Sequence, residues 1–240
     1  MKEHFNVLFL IGRPAAGKSE IIDFLKKTPK EDLLSQFHMM DFEEIDDFPM
    51  LWTWYEEDDI INRMGHERLH TTEDGYFKEN WLWDLLIKRM ELEYNKKLHD
   101  TAGFEENHTV IVEFARGREH GGFKNAFENF SKEFLEKVSV IYLNVSFEES
   151  LRKNRKRFNP ERPHSILEHS LPDEKLKKLY GESDWEDFSS EDGQYLHVHG
   201  IRIPYAVFEN NDDVTTKGGE PLKARLKSVL DNLWEIQKNR

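Results

Sequence analysis

The chain contains no cysteine. That absence excludes disulfides, cysteine-ligated zinc, iron–sulfur clusters and a cysteine nucleophile, and it makes a reducing, cytoplasmic setting the expectation. Long apolar runs are missing as well. The longest early one, Phe5 to Ile11, is interrupted by Asn6 and is too short to cross a bilayer. Only Lys2 precedes it and no small-residue cleavage site follows, so it is expected to be a strand, and no membrane association is expected. Positive charge is scarce: 34 Lys and Arg against 47 Asp and Glu leave a net charge of −13. A general nucleic-acid binder would carry a net basic face, so nucleic acid is not an expected partner. Aromatic residues are plentiful at 12%, six of them Trp, which argues for a packed core and against disorder. With 240 residues that core needs no covalent staples.

Strand-like and helix-like patterns alternate along the chain. Phe5–Gly12, Gln36–Phe42, Thr109–Ala115 and Val138–Val145 are rich in β-branched and aromatic residues, and Tyr195–Glu209 reads as a further strand or as two around Gly200. Helical periodicity marks Lys18–Lys27, Tyr76–His99, Phe123–Glu136, Phe147–Arg157, a short piece near Asp173–Tyr180, and Pro221–Gln237. Alternation of this kind predicts an α/β fold, a three-layer sandwich around a mainly parallel five-stranded sheet. No repeat or linker divides the chain. One domain over residues 1–240 is expected, with a substrate-side insertion at 43–103 and a Pro-containing lid insertion at 158–194.

The most specific signal is Gly12-Arg13-Pro14-Ala15-Ala16-Gly17-Lys18-Ser19, which fits G-x-x-x-x-G-K-[ST] between a strand and a helix. In such a loop the backbone N–H groups converge on phosphate oxygens, and the helix N-terminus adds its dipole. Gly12, Arg13, Ala15, Ala16, Gly17, Lys18 and Ser19, with Glu20 just beyond, are therefore candidate nucleotide contacts; Pro14 has no N–H to offer. Lys18 would reach the β- and γ-phosphates and Ser19 would face Mg²⁺. Glu113, closing Val110-Ile111-Val112-Glu113, is the candidate strand-end carboxylate beside the metal. A guanine-reading N-K-x-D segment is missing, since Asn210-Asn211-Asp212 lacks the lysine.

With these residues the chain resembles the nucleoside and nucleotide kinase group of P-loop proteins. The resemblance is carried by four features: the early phosphate loop, Glu113-Phe114-Ala115-Arg116-Gly117-Arg118, the run from Val140 into Arg152, and Tyr205 to Asp212. It implies a P-loop kinase-like fold, ATP and Mg²⁺ as cofactors, and phosphoryl transfer to a small acceptor such as a nucleoside, a nucleotide or a similar metabolite. It also implies that Arg116 and Arg118 meet the acceptor and that Asn210 lies in the loop packing on adenine. The Asp-Gly-x-Pro-Arg run of adenylate-kinase-like enzymes is absent, so the resemblance names no substrate.

The remaining candidates come from the residues alone. Arg152, Lys153, Arg155, Lys156, Arg157 and Arg162 fall within eleven positions of an acidic chain, and of these Arg155 and Arg157 are the candidates to stabilise the transferring phosphoryl group. Asp41, read as the end of the second strand, is the candidate base or acceptor ligand. Trp54 and Tyr55 are candidates to stack on a planar acceptor, against the alternative that they form a small core. His66-Glu67-Arg68-Leu69-His70 fits H-E-x-x-H and would carry zinc chemistry only on a helix. A nucleotide-binding regulatory module without an acceptor is the competing reading of the loop. The oligomeric state is left open by the sequence.

Overall fold

A computed structural model describes residues 3–157, 161 and 170–240, so Arg162 and most of the first half of the expected lid lie outside the described residues. In chain order the elements are β1 (Val7–Gly12), α1 (Lys18–Lys26), α2 (Lys30–Phe37), β2 (Asp41–Asp46), α3 (Asp47–Arg63), α4 (Trp81–Asp100), α5 (Phe104–Asn107), β3 (His108–Phe114), α6 (Gly122–Glu128), α7 (Lys132–Leu135), β4 (Val138–Asn144), α8 (Phe147–Arg157), α9 (Asp173–Tyr180), α10 (Trp185–Ser189), β5 (Tyr195–Val198), β6 (Ile201–Glu209), α11 (Val214–Lys217) and α12 (Gly219–Lys238).

The sheet has the order β2-β3-β1-β4-β6-β5. Five strands are parallel, and β5 pairs antiparallel with β6 at one edge. The sheet therefore has six strands where five were expected. The extra one arises at His199-Gly200, both with positive φ, which folds the Tyr195–Glu209 run into a hairpin. The architecture is otherwise the expected three-layer α/β sandwich around a mainly parallel sheet.

The layers follow from β1. Every residue of β1 is buried, and alternate side chains point to opposite faces. Val7, Phe9 and Ile11 join Ile87 and Met90 of α4 and Phe123 and Phe127 of α6 in one core. Leu8 and Leu10 join Ile21 and Leu25 of α1, Leu33 of α2 and Leu226 of α12 in the other. A strand covered on both faces needs a continuous apolar run, which is what Val7–Ile11 supplies.

The second strand is displaced from its expected place. Lys30–Phe37 is helical behind Pro29, and β2 begins only at Asp41. Asp41 consequently starts β2, paired with His108, while Asp46 ends it, paired with Glu113. In a parallel sheet, ligands bind beyond the carboxyl ends of the strands. Asp41 is about 16 Å away at the opposite edge. It forms an exposed ion pair with Lys30. Its expected role as base or acceptor ligand is corrected accordingly.

The 43–103 segment is built on α3 and α4, with Trp54, Leu82, Trp83 and Leu86 forming a core between them. From Leu171 onward the second half of the 158–194 segment is packed. Leu176, Leu179 and Tyr180 of α9 cluster with Ala115 and Leu151, and Asp184 accepts hydrogen bonds from Phe123 N and Lys124 N at the start of α6.

Candidate nucleotide and acceptor site

The turn between β1 and α1 crosses the sheet edge where the central strands end. Ala15 has φ of 55° and Gly17 has φ of 110°, so the loop winds into a concavity. Gly17 is required twice over. Its φ disfavours any side chain, and a Cβ there would come within 2.5 Å of Thr215 Oγ1 and 2.6 Å of Asn210 Nδ2. At Gly12 the reason is close approach: a Cβ would sit 2.8 Å from the Leu143 carbonyl oxygen.

Two braces hold the loop from behind. Fully buried Asn210 donates to Ala16 O (2.7 Å) and to Thr215 Oγ1 (2.8 Å), and its own oxygen accepts from Thr215 N. Ser150 of α8 donates to Pro14 O at 2.7 Å. Asn210 thus buttresses the loop and does not line the cleft; its expected place against adenine is corrected. Arg13 donates one guanidinium N–H to Gly181 O at 3.3 Å, and it is not among the residues that line the cleft in front of the loop.

In front of the loop lies one cleft of about 990 Å³. It reaches from the loop to the β2–α3 corner and to the β3 end. Single small-molecule sites run to about 300–1,000 Å³, so the cleft is at the upper limit of that range. Lys18, Ser19, Glu20, Asp46, Glu113, Arg116, Lys153, Lys156 and Arg157 all line it. Lys18 is 6% exposed; its ammonium donates to Arg13 O at 3.2 Å and stands 3.7 Å from Glu113.

The carboxylates at the sheet edge are strongly perturbed. Burial lifts the Asp46 carboxyl to about 8, helped by the charges of Glu113 and Asp47. Asp46 also N-caps α3 by accepting from Phe48 N at 2.9 Å, which opposes the rise without cancelling it. Burial raises Glu113 as well, offset by Lys18 and then by Arg157. Ser19 and Glu113 provide hard oxygen donors that suit Mg²⁺, and a divalent cation would relieve the crowding of carboxylates at this edge. No cluster of three or more metal-ligating side chains occurs among the described residues.

Other candidates are not brought to the cleft. Arg155 turns away on α8 and makes a bidentate, exposed contact with Asp173; Arg157, two positions on, lines the cleft. An α-helix advances about 100° per residue, so neighbours this close cannot share a face. Arg118 donates to Ser183 O and pairs with Asp187 outside the cleft. Trp54 is buried in the α3–α4 core, stacked on His70 at 5.0 Å, and Tyr55 donates its hydroxyl to Gly75 O. Both are structural. Phe48, Leu51, Trp83 and Tyr180 form the apolar lining instead. The 66–70 segment is irregular chain ending in a bend, so His66 and His70 do not share a helical face and the zinc reading loses its geometry.

Sequence reasoning passed over Asp46 and Asp47 in favour of Asp41, and did not single out Lys153 from the basic run. Asp46-Asp47-Phe48-Pro49 is a helix-start signature, an acidic cap followed by Pro in the first turn, and it places the end of β2 at Asp46. Lys153 carries no such signal. It is buried against Asp213 (2.8 Å), Thr215 Oγ1 (3.1 Å) and Glu20 (3.5 Å), which only the assembled fold brings together.

No family model matches the chain, and no curated protein matches it. Solved structures do. A shikimate kinase from Bacteroides thetaiotaomicron is 17% identical over 95% of this chain and 98% of its own, with a TM-score of 0.43. A shikimate kinase from Acinetobacter baumannii in complex with shikimate is 16% identical over 97% and 95%, with a TM-score of 0.42. A sugar kinase from Janibacter sp. HTCC2649 is 14% identical over 95% of each chain, with a TM-score of 0.39.

Proposed function

We propose that the chain is an ATP-dependent, Mg²⁺-requiring phosphotransferase acting on the hydroxyl of a small molecule. The observation that carries this reading is one open cleft that extends from the phosphate loop to a wall formed by Glu44, Asp46, Phe48, Leu51, Trp83 and Arg116. A regulatory nucleotide switch has no use for space beyond the loop, and side chains would be expected to fill it.

In this reading the loop amides and Lys18 hold the β- and γ-phosphates. Ser19 and Glu113 would hold Mg²⁺, which when bound neutralises charge on the β- and γ-oxygens. Asp46 orients the acceptor hydroxyl and takes up its proton, since a carboxyl near 8 is close to the pH at which a general base works best. Arg157 stabilises charge on the transferring group from the end of α8. Lys153 is a positioning residue: it ties α8 to the loop after β6 and so keeps that arginine over the cleft. Residues 43–103 form the acceptor side.

The test is transfer of label from γ-labelled ATP to a panel of small alcohols, scored on the acceptor and not on ADP release. Lys18→Ala should cut transfer by roughly a hundredfold or more. Its far-ultraviolet circular dichroism should be unchanged. Asp46→Asn should lose about 10²–10⁴-fold in rate while still binding ATP. Full transfer by the Lys18 variant would sink the proposal.

A further inference from the structure

The acceptor half of the cleft has a charge pattern from which we infer the class of acceptor. It is an alcohol that carries no phosphate or carboxylate group of its own and rests on an apolar wall. This inference rests on the phosphotransferase reading of the same site.

Among the described residues, the cations lining that half are Arg116, Lys26 and Lys27. Each already has an anionic partner. Lys26 pairs with Glu44 at 2.7 Å and Lys27 with Asp23 at 2.6 Å. Arg116 is 2% exposed, and three of its five N–H groups are engaged. One nitrogen donates to Asp47 at 2.6 Å and to Ala115 O at 2.7 Å, and the other to Trp83 O at 3.3 Å. Its guanidinium also lies 5.2 Å from the centre of the Trp83 ring and 5.6 Å from that of Phe114. Arginine reads an anion by presenting two parallel N–H groups. Turning the edge that includes Nη1 toward an anion would leave Asp47 behind as a buried, unpaired carboxylate, and breaking such a pair is strongly unfavourable.

The carboxylates point the same way. Glu44, Asp46, Asp47 and Glu113 line this half, and Asp46 has no ion pair among the described residues. The cations of the opposite half are Lys18, Lys153, Lys156 and Arg157. Lys18 and Arg157 are assigned to the polyphosphate chain, Lys153 is held by Asp213, and Lys156 stands at the same end of α8. An acceptor phosphate would thus meet the charge of ATP on one side and, on the other, cations already neutralised by Glu44, Asp23 and Asp47. Phe48, Leu51, Trp83, Ala115 and Tyr180 offer instead an apolar and aromatic wall, which suits the face of an uncharged ring. Of the acceptors that the resemblance allows, nucleotides are therefore excluded, and nucleosides or comparable neutral alcohols are retained.

The experiment works on an acceptor that has not been identified. A small-molecule extract of the cells that make this protein is split on an anion-exchange resin. The unretained and retained fractions are each incubated with the protein, γ-labelled ATP and Mg²⁺. Label should enter a compound of the unretained fraction, with roughly a hundredfold less in the retained one. Label found only in the retained fraction overturns the inference and leaves the phosphotransferase reading standing. Label in neither, with ATP binding intact, removes that reading and the inference with it.

Matched probes add a second arm. Cytidine and cytidine monophosphate, and glucose and glucose 6-phosphate, are compared in wild type and in Asp47→Asn. Freeing the Arg116 fork should shift preference toward the phosphorylated member by about tenfold or more. An unchanged preference in a folded variant counts against the inference. Should Asp47→Asn not fold, the fractionation on wild-type protein decides alone.

Discussion

Asp41 and Asp46 lie on one strand five positions apart, and their surroundings are opposite. Asp41 is exposed beside Lys30, whereas Asp46 is crowded among buried carboxylates and raised to about 8 from an ordinary 3.8. Between those values the folded state keeps a proton that the unfolded chain has released. Asp46 therefore lowers stability progressively as pH rises from about 4 to about 8, and no further above that. Chemical denaturation from pH 5 to 8.5 should show this decline, flattened in Asp46→Asn. The same ionisation should appear in transfer as an ascending limb of kcat/KM toward about pH 8, because a base acts only when deprotonated. A kcat/KM flat across that range would remove Asp46 from the chemistry.

At the scale of elements, α8 separates two arginines that the sequence could only group. Arg157→Ala is expected to slow transfer by roughly 10²–10³-fold. Arg155→Ala should leave transfer unchanged, since Arg155 is engaged with Asp173 at the surface. Steady-state rates on the same acceptor would separate the two. The loop and the segment after β6 form a second such unit, joined by Asn210. Asn210→Ala leaves the Ala16 carbonyl and the Thr215 amide without their partner, which should cost about 1–3 kcal/mol of stability. It should also weaken ATP binding, although Asn210 does not line the cleft, because the loop loses the brace that fixes its amides. Equal ATP affinity in wild type and variant would show that the loop holds its shape unaided.

For the molecule as a whole, ATP and Mg²⁺ should stabilise the fold by mass action, since the cleft joins the phosphate loop, α1, β2, β3, α8 and the segment before α12. At a hundredfold excess over Kd the gain is about 2.7 kcal/mol. For a chain of this size that amounts to a rise in Tm of about 5–10 °C. Lys18→Ala should abolish the rise, and a thermal melt with and without ligand measures it. An equal shift in the variant would mean that the nucleotide binds elsewhere.

The phosphate loop, the central strands and the alternation of layers were legible in the amino-acid sequence. Each is local: a fixed glycine spacing, a continuous apolar run, a helical period. Glu113 was legible for the same reason, as the last carboxylate of an obvious strand. The position of β2 was legible only through the cap at Asp46-Asp47-Phe48-Pro49, which competed with an apolar run at 36–42 that partly proved helical. The sequence by itself thus determined the scaffold and the anion cradle. Only the tertiary structure decided which of several like residues faces the cleft: Asp46 over Asp41, Arg157 over Arg155, Trp83 over Trp54. Facing depends on where an element ends and what packs behind it, and those are set by contacts between residues far apart in the chain.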